Sequence, residues 1–219
     1  MSSQPLDAFQ IVAALTGHGV DHVVIGGVAL QAHGHVRTTI DLDVIAAWTP
    51  ENMRRLAGAL RDLDAQLRGV DADRLGLDLG DPDTLYNGGN FLMHTRHGDL
   101  DVFAVQQTAG APTRYEDLRA RAIALEIRGR TLLIAHPDDL IRMKTAAAQF
   151  RDRPPAKRRQ DLDDIAVLEQ LRAGEEQAPE TGRPPSSPPP PDPGRAAGLR
   201  QPRSDSCPPP KRTDPKLGR

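Results

Sequence analysis

An α+β fold, a mixed β-sheet flanked by helices, is what the amino-acid sequence predicts, and three observations carry it. Short apolar runs of strand length alternate with longer segments of helical period. Two pairs of such runs flank His97-Gly98 and Gly129, as hairpin strands do. Gly26-Gly27 follows the first apolar run and leads into a helical pattern, which marks a tight strand-to-helix turn.

The elements follow in order. Residues 6–17 form the first expected helix, ended by glycine, with Phe9, Val12, Ala13 and Thr16 on its inner stripe. The apolar strand 23–25 comes next, then a helix over 28–35 opened by the paired glycines, then a strand over 38–46. Thr49-Pro50 supplies an N-cap and a first-turn proline for a helix through residue 63. One hairpin is expected from 91–95 and 100–105, another from 124–127 and 131–135. After His136-Pro137 a helix presents Leu140, Met143, Ala147 and Phe150 at intervals of three and four. The polar break RDRPPAKRR precedes a last helix over 160–171. Residues 67–90 follow no recognisable period and read as a loop that meets the acceptor.

Composition divides the 219 residues into a folding unit, 1–173, and a Pro/Arg-rich tail, 174–219, expected to be disordered because it has too little apolar surface to offset its ordering entropy. From Pro179 onward, Lys and Arg outnumber Asp and Glu, so the net charge of −2 conceals an acidic body and a basic tail. An acidic body argues against a broad nucleic-acid patch, although the tail or a local basic groove would still attract phosphate. Cys207 is the only cysteine, which excludes a disulfide framework, and no apolar run is long enough for a membrane span. No basic start followed by an apolar stretch marks a secretory signal, so a cytoplasmic location is expected.

The chemistry is concentrated in VVIGGVALQAHGHVRTTIDLDVI, residues 23–45. Asp41 and Asp43 alternate along a strand, so both carboxylates emerge on one face about 7 Å apart, while Leu42 and Val44 turn to apolar packing. Two convergent acids call for a hard cation, and Mg²⁺ is the natural one. Asp101, in LDVFAV, offers a third carboxylate from a neighbouring strand; Asp99 shares its face and is the alternative. Three such acids hold two metal ions, an arrangement suited to in-line displacement at phosphorus. The Gly26 and Gly27 amides would then hold the β- and γ-phosphates of a nucleoside triphosphate. Arg37 and Thr38 either orient the nucleotide or pair with the acids. Taken singly, each feature has a plainer explanation: an Asp-x-Asp is usually a solvated strand edge and a Gly-Gly usually a turn. Their order and spacing favour the site.

The ordered set GG, A, HG, R, T, DLD resembles the nucleotidyltransferase superfamily and, more narrowly, the abortive-infection type IV toxin nucleotidyltransferases, over roughly residues 20–171. DLIRMK, Arg151 and DLDDI fit the later motifs of that group, and the resemblance alone makes Lys144 a phosphate contact and brings Asp161 and Asp164 to the nucleotide site. Without it, Lys144 is a snorkelling helix-edge lysine and Asp161 a complement to a helix dipole. The resemblance implies a mixed sheet flanked by helices, with further helices at the C-terminal end. It also implies Mg²⁺ as cofactor, NTP as co-substrate and transfer of a nucleoside monophosphate to an acceptor hydroxyl with release of pyrophosphate. A tRNA or protein acceptor is favoured, with an antitoxin as partner. The alternatives are a catalytically silent nucleotide-binding regulator and an enzyme acting on a small molecule such as an antibiotic. Gly27 stands where many superfamily members have serine.

Overall fold

The computed structural model describes residues 5–69, 76–104, 106–108 and 111–177. The expected tail from 178 onward, Cys207 included, lies outside the described residues.

The element order is α1 (Ala8–Gly17), β1 (His22–Ile25), α2 (Gly26–Ala32), β2 (Asp41–Ala46), α3 (Pro50–Asp62), β3 (Gln66–Leu67), α4 (Pro82–Asn87), β4 (Phe91–Thr95), β5 (Gly98–Phe103), β6 (Gln106–Thr108), β7 (Ala111–Thr113), α5 (Tyr115–Arg119), β8 (Ile123–Ile127), β9 (Arg130–Ile134), α6 (Pro137–Gln149) and α7 (Pro155–Gln177). Seven strands form one mixed sheet in the order β3-β4-β5-β2-β1-β9-β8. At its centre β2 runs antiparallel to β1 and parallel to β5, with Asp43 opposite both Ile25 and Asp101. This is the expected α+β fold.

Local chemistry explains the boundaries. The Asp7 carboxylate caps α1 by accepting from the Gln10 amide. Thr49 caps α3 in the same way through Asn52 N–H, with Pro50 in the first turn. The Asn52 side chain is buried and bonds Asp21 N–H at 2.8 Å and the Ala47 carbonyl at 2.8 Å, tying the entrance of β1 to the exit of β2. One buried core of Ile11, Leu15, Val23, Leu42, Ile45, Met53, Leu56, Leu60, Leu100 and their neighbours joins α1 and α3 to the sheet.

Several expectations are corrected. The buried stripe of α1 is Ile11, Val12 and Leu15. Phe9 is only half-buried and lies under the Arg128 guanidinium, 4.6 Å from carbon to ring centre. The second helix starts at Gly26 itself and ends at Ala32, because the turn is absorbed by the left-handed φ of Gly26. The strand expected from residue 38 starts at Asp41. Phe150 does not join the apolar stripe of α6; it terminates the helix and is exposed, while Ala148 takes the buried position. The last helix begins at Pro155, its ring suiting a first turn, and runs to Gln177. Residues 67–90 contain the short β3 end and α4, capped by Asp81.

Candidate active site

Strands β2 and β5 position the acids. Leu42 and Val44 are 0% and 1% exposed in the core, so strand alternation turns Asp41 and Asp43 out of the opposite face. The parallel register then sets Asp101 beside Asp43, and ligand oxygens of Asp41, Asp43 and Asp101 lie within 4.8 Å of one another. Asp99 stands opposite Asp41 but outside this group: its oxygens are held by Arg68 at 2.6 Å and by His94 at 2.7 Å. Of the two acids considered on β5, Asp101 is the one brought to the other carboxylates.

The cluster is electrostatically costly, which is what a cation site requires. Burial pushes the Asp43 carboxyl up to about 7, reinforced by the negative charges of Asp41 and Asp101 and opposed by Lys144 and the Gly27 amide. Burial likewise raises Asp101 to about 6, against the pull of Arg68 and with help from Asp41 and Asp99. All donors are hard carboxylate oxygens, a set that fits Mg²⁺ or Mn²⁺ and not a softer ion.

The glycine bend meets the acids directly. A methyl carbon at Gly26 would overlap the Asp43 carboxylate, and Gly26 has φ +63°, so both space and backbone demand glycine. A side chain at Gly27 would overlap the Thr39 hydroxyl, which accounts for the second glycine. The Gly27 backbone amide faces the Asp43 carboxyl and lowers its pKa, opposing part of its rise.

Around this centre lies a cleft of about 610 Å³. It is lined by the glycine bend, Arg37, Thr38 and Thr39, the three acids, Lys144 and Asp161, with Leu92, Phe103, Leu140 and Met143 as an apolar wall. Lys144 bridges Asp161 at 3.0 Å and Asp164 at 2.9 Å, both acids being 1% exposed. Arg153 reaches Asp161 at 2.7 Å, while Arg37 and His35 converge on Asp164 at 3.0 and 3.1 Å. Asp161 and Asp164 thus clamp the four basic side chains, and Asp161 sits too far into α7 to serve as a dipole complement. Of the two nearby arginines Arg153 makes the ion pair, whereas Arg151 is exposed. Thr38 only lines the cleft; it is Thr39 whose hydroxyl donates to Asp41 at 3.1 Å. Sequence reasoning also missed Arg68, which donates from one nitrogen to both oxygens of Asp101 at 2.6 and 2.8 Å.

No protein-family model matches the sequence, and neither does any curated protein. Solved structures do. The lincomycin-bound lincosamide antibiotic adenylyltransferase LnuA superposes with a TM-score of 0.50 at 11% identity, covering 77% of this chain and 99% of that one. The antibiotic-resistance factor ANT(2″)-Ia matches at 0.44 with 19% identity, covering 77% and 89%. The likeness to LnuA, together with the seven-stranded mixed sheet and its flanking helices, shows the nucleotidyltransferase fold.

Proposed function

We propose that this protein is a divalent-cation-dependent nucleotidyltransferase that moves a nucleoside monophosphate from NTP to an acceptor hydroxyl and releases pyrophosphate. The observation that supports it most strongly is the meeting of Asp41, Asp43 and Asp101 beside the Gly26-Gly27 bend. Asp41, Asp43 and Asp101 would together hold the Mg²⁺ ions. Bound there, the ions supply Lewis-acid stabilisation of the charge that develops on the transferred phosphoryl group.

The chain's own residues do the rest. Thr39 keeps the Asp41 carboxylate turned toward the cleft. Asp101, its carboxyl raised to about 6 by burial, is ionised at neutral pH and suited to accept the proton of the attacking hydroxyl. Lys144, fixed by two buried carboxylates, presents its positive charge to Asp43 and to a triphosphate lying along the cleft. Arg37 and Arg153, clamped by the same pair, border the same space without needing to reorganise. Gly26, Gly27 and Thr38 form the floor on which the phosphates rest, and Asp161 contributes by orientation, through Lys144 and Arg153.

A tRNA or protein acceptor, a toxin role, an antitoxin partner and a cytoplasmic location complete the reading, in line with the motif resemblance. Exposed Lys157 on the cleft wall, beside exposed Arg151, Arg158 and Arg159, favours a polyanionic acceptor over a polycationic one. The apolar wall of Leu92, Phe103, Leu140 and Met143 favours a second reading, a small acceptor enclosed beside the nucleotide. Among the described residues no helix is long and apolar enough to cross a membrane.

The test uses α-labelled NTPs, Mg²⁺ and, in separate arms, total RNA, cell protein, a lincosamide and an aminoglycoside. Label should move to one acceptor class with the wild type and to none with Asp41→Ala plus Asp43→Ala. Equal labelling by both proteins in every arm refutes the enzymatic reading.

A further inference from the structure

Resting on the proposed cation site, we propose that Arg68 is an internal counter-cation that competes with the divalent ion for Asp101 and must swing aside before the three-carboxylate site closes on metal. The geometry is specific. One guanidinium nitrogen of Arg68 spans both Asp101 oxygens at 2.6 and 2.8 Å, and the other bonds Asp99 at 2.6 Å. Asp101 is 5% exposed, so it has little water to fall back on. Its two oxygens therefore have two suitors, a fixed monovalent cation and a divalent one shared with Asp41 and Asp43.

Charge decides the contest when three carboxylates act together, since a dication held at close range by all three outweighs a single guanidinium on one of them. The displaced side chain has somewhere to go. Asp99 lies two residues along the same face of β5, and His94 already holds its second oxygen at 2.7 Å. Arg68 can rotate off Asp101 and keep its bond to Asp99, so the exchange exposes no unpaired charge. Arg68 is thus a positioning residue: it keeps Asp101 aimed while lowering the affinity of the site for metal alone, so that ion and nucleotide together outcompete it where an ion alone binds weakly.

Mn²⁺ binding to the full chain, read from the free-ion electron paramagnetic resonance signal, tests this without turnover. Arg68→Gln should bind Mn²⁺ about tenfold more tightly than wild type, and Arg68→Lys, which keeps the charge but loses the fork, about threefold. The gain should vanish when Asp101→Asn is added to Arg68→Gln. A second readout is the Mn²⁺-induced rise in melting temperature, expected to be larger for Arg68→Gln than for wild type. Arg68→Gln affinity equal to or weaker than wild type, or a gain that survives Asp101→Asn, overturns the proposal. If Arg68→Gln does not fold, Arg68→Lys decides by the same criterion. Asp41→Ala plus Asp43→Ala separates the two levels: Mn²⁺ binding unaffected by that pair sinks the cation site itself, whereas binding lost there with no gain in Arg68→Gln sinks only the role of Arg68.

Discussion

Asp43 carries the largest electrostatic burden at the site and makes the sharpest prediction. Its carboxyl is raised from the usual 3.8 to about 7, and Asp101 to about 6. A raised acid stabilises the folded state fully below its unfolded pKa and loses that contribution as pH climbs through the folded one. In EDTA the protein should therefore melt lower at pH 8 than at pH 5, by about 4 °C or more. Saturating Mg²⁺ or Mn²⁺ should erase the difference, and its thermal stabilisation should grow with pH because protons compete for the same oxygens. A melting curve indifferent to both pH and metal contradicts the site. Asp43→Asn should cut label transfer by at least about 100-fold while raising the melting temperature in EDTA, since an amide carries no charge to desolvate. Loss of both activity and stability would indicate a structural acid.

Among elements, the glycine bend and the α6–α7 pair hold the site by different means. Gly27→Ser should destabilise by about 1–3 kcal/mol because Thr39 occupies the space; adding Thr39→Ala should recover much of the loss in a denaturant titration. Asp164→Ala should cost about 3 kcal/mol or more, because it strips a partner from Lys144, Arg37 and His35 around a carboxylate that is 1% exposed. Much of this scale was legible beforehand. Period and caps foretold the helices after Thr49 and His136 and both hairpins, and alternation put Asp41 and Asp43 on one face. What escaped notice lies where no period operates. Thr39 acts from a loop just outside β2, where no regular strand singles out either threonine, and sequence reasoning named its neighbour Thr38. Arg153, and not Arg151, meets Asp161 from the irregular segment between α6 and α7, where no period says which side chain turns inward. Arg68 sits at the end of β3, a two-residue strand too short to show alternation, and only the fold brings it to Asp101.

For the whole molecule, the deepest buried contact of α7 is Leu168, and residues from 178 onward have almost no apolar side chains. A chain ended at residue 177 should melt within about 2 °C of the full chain and bind Mn²⁺ equally well. A large loss of either would make the tail part of the folding unit. RNA labelling measured on both forms would separately reveal whether the basic tail recruits the acceptor, as a steeper salt dependence for the full chain.

The parallel pairing of β2 with β5 has an evolutionary side. Residues 47–97 leave the acid cluster and return to it between two strands locked together by backbone hydrogen bonds. Exposed positions of that excursion can change while Asp43 and Asp101 keep their separation, since the backbone pairing of β2 with β5 fixes it. Under the proposed function, acceptor contacts could diversify at those positions without disturbing the acids.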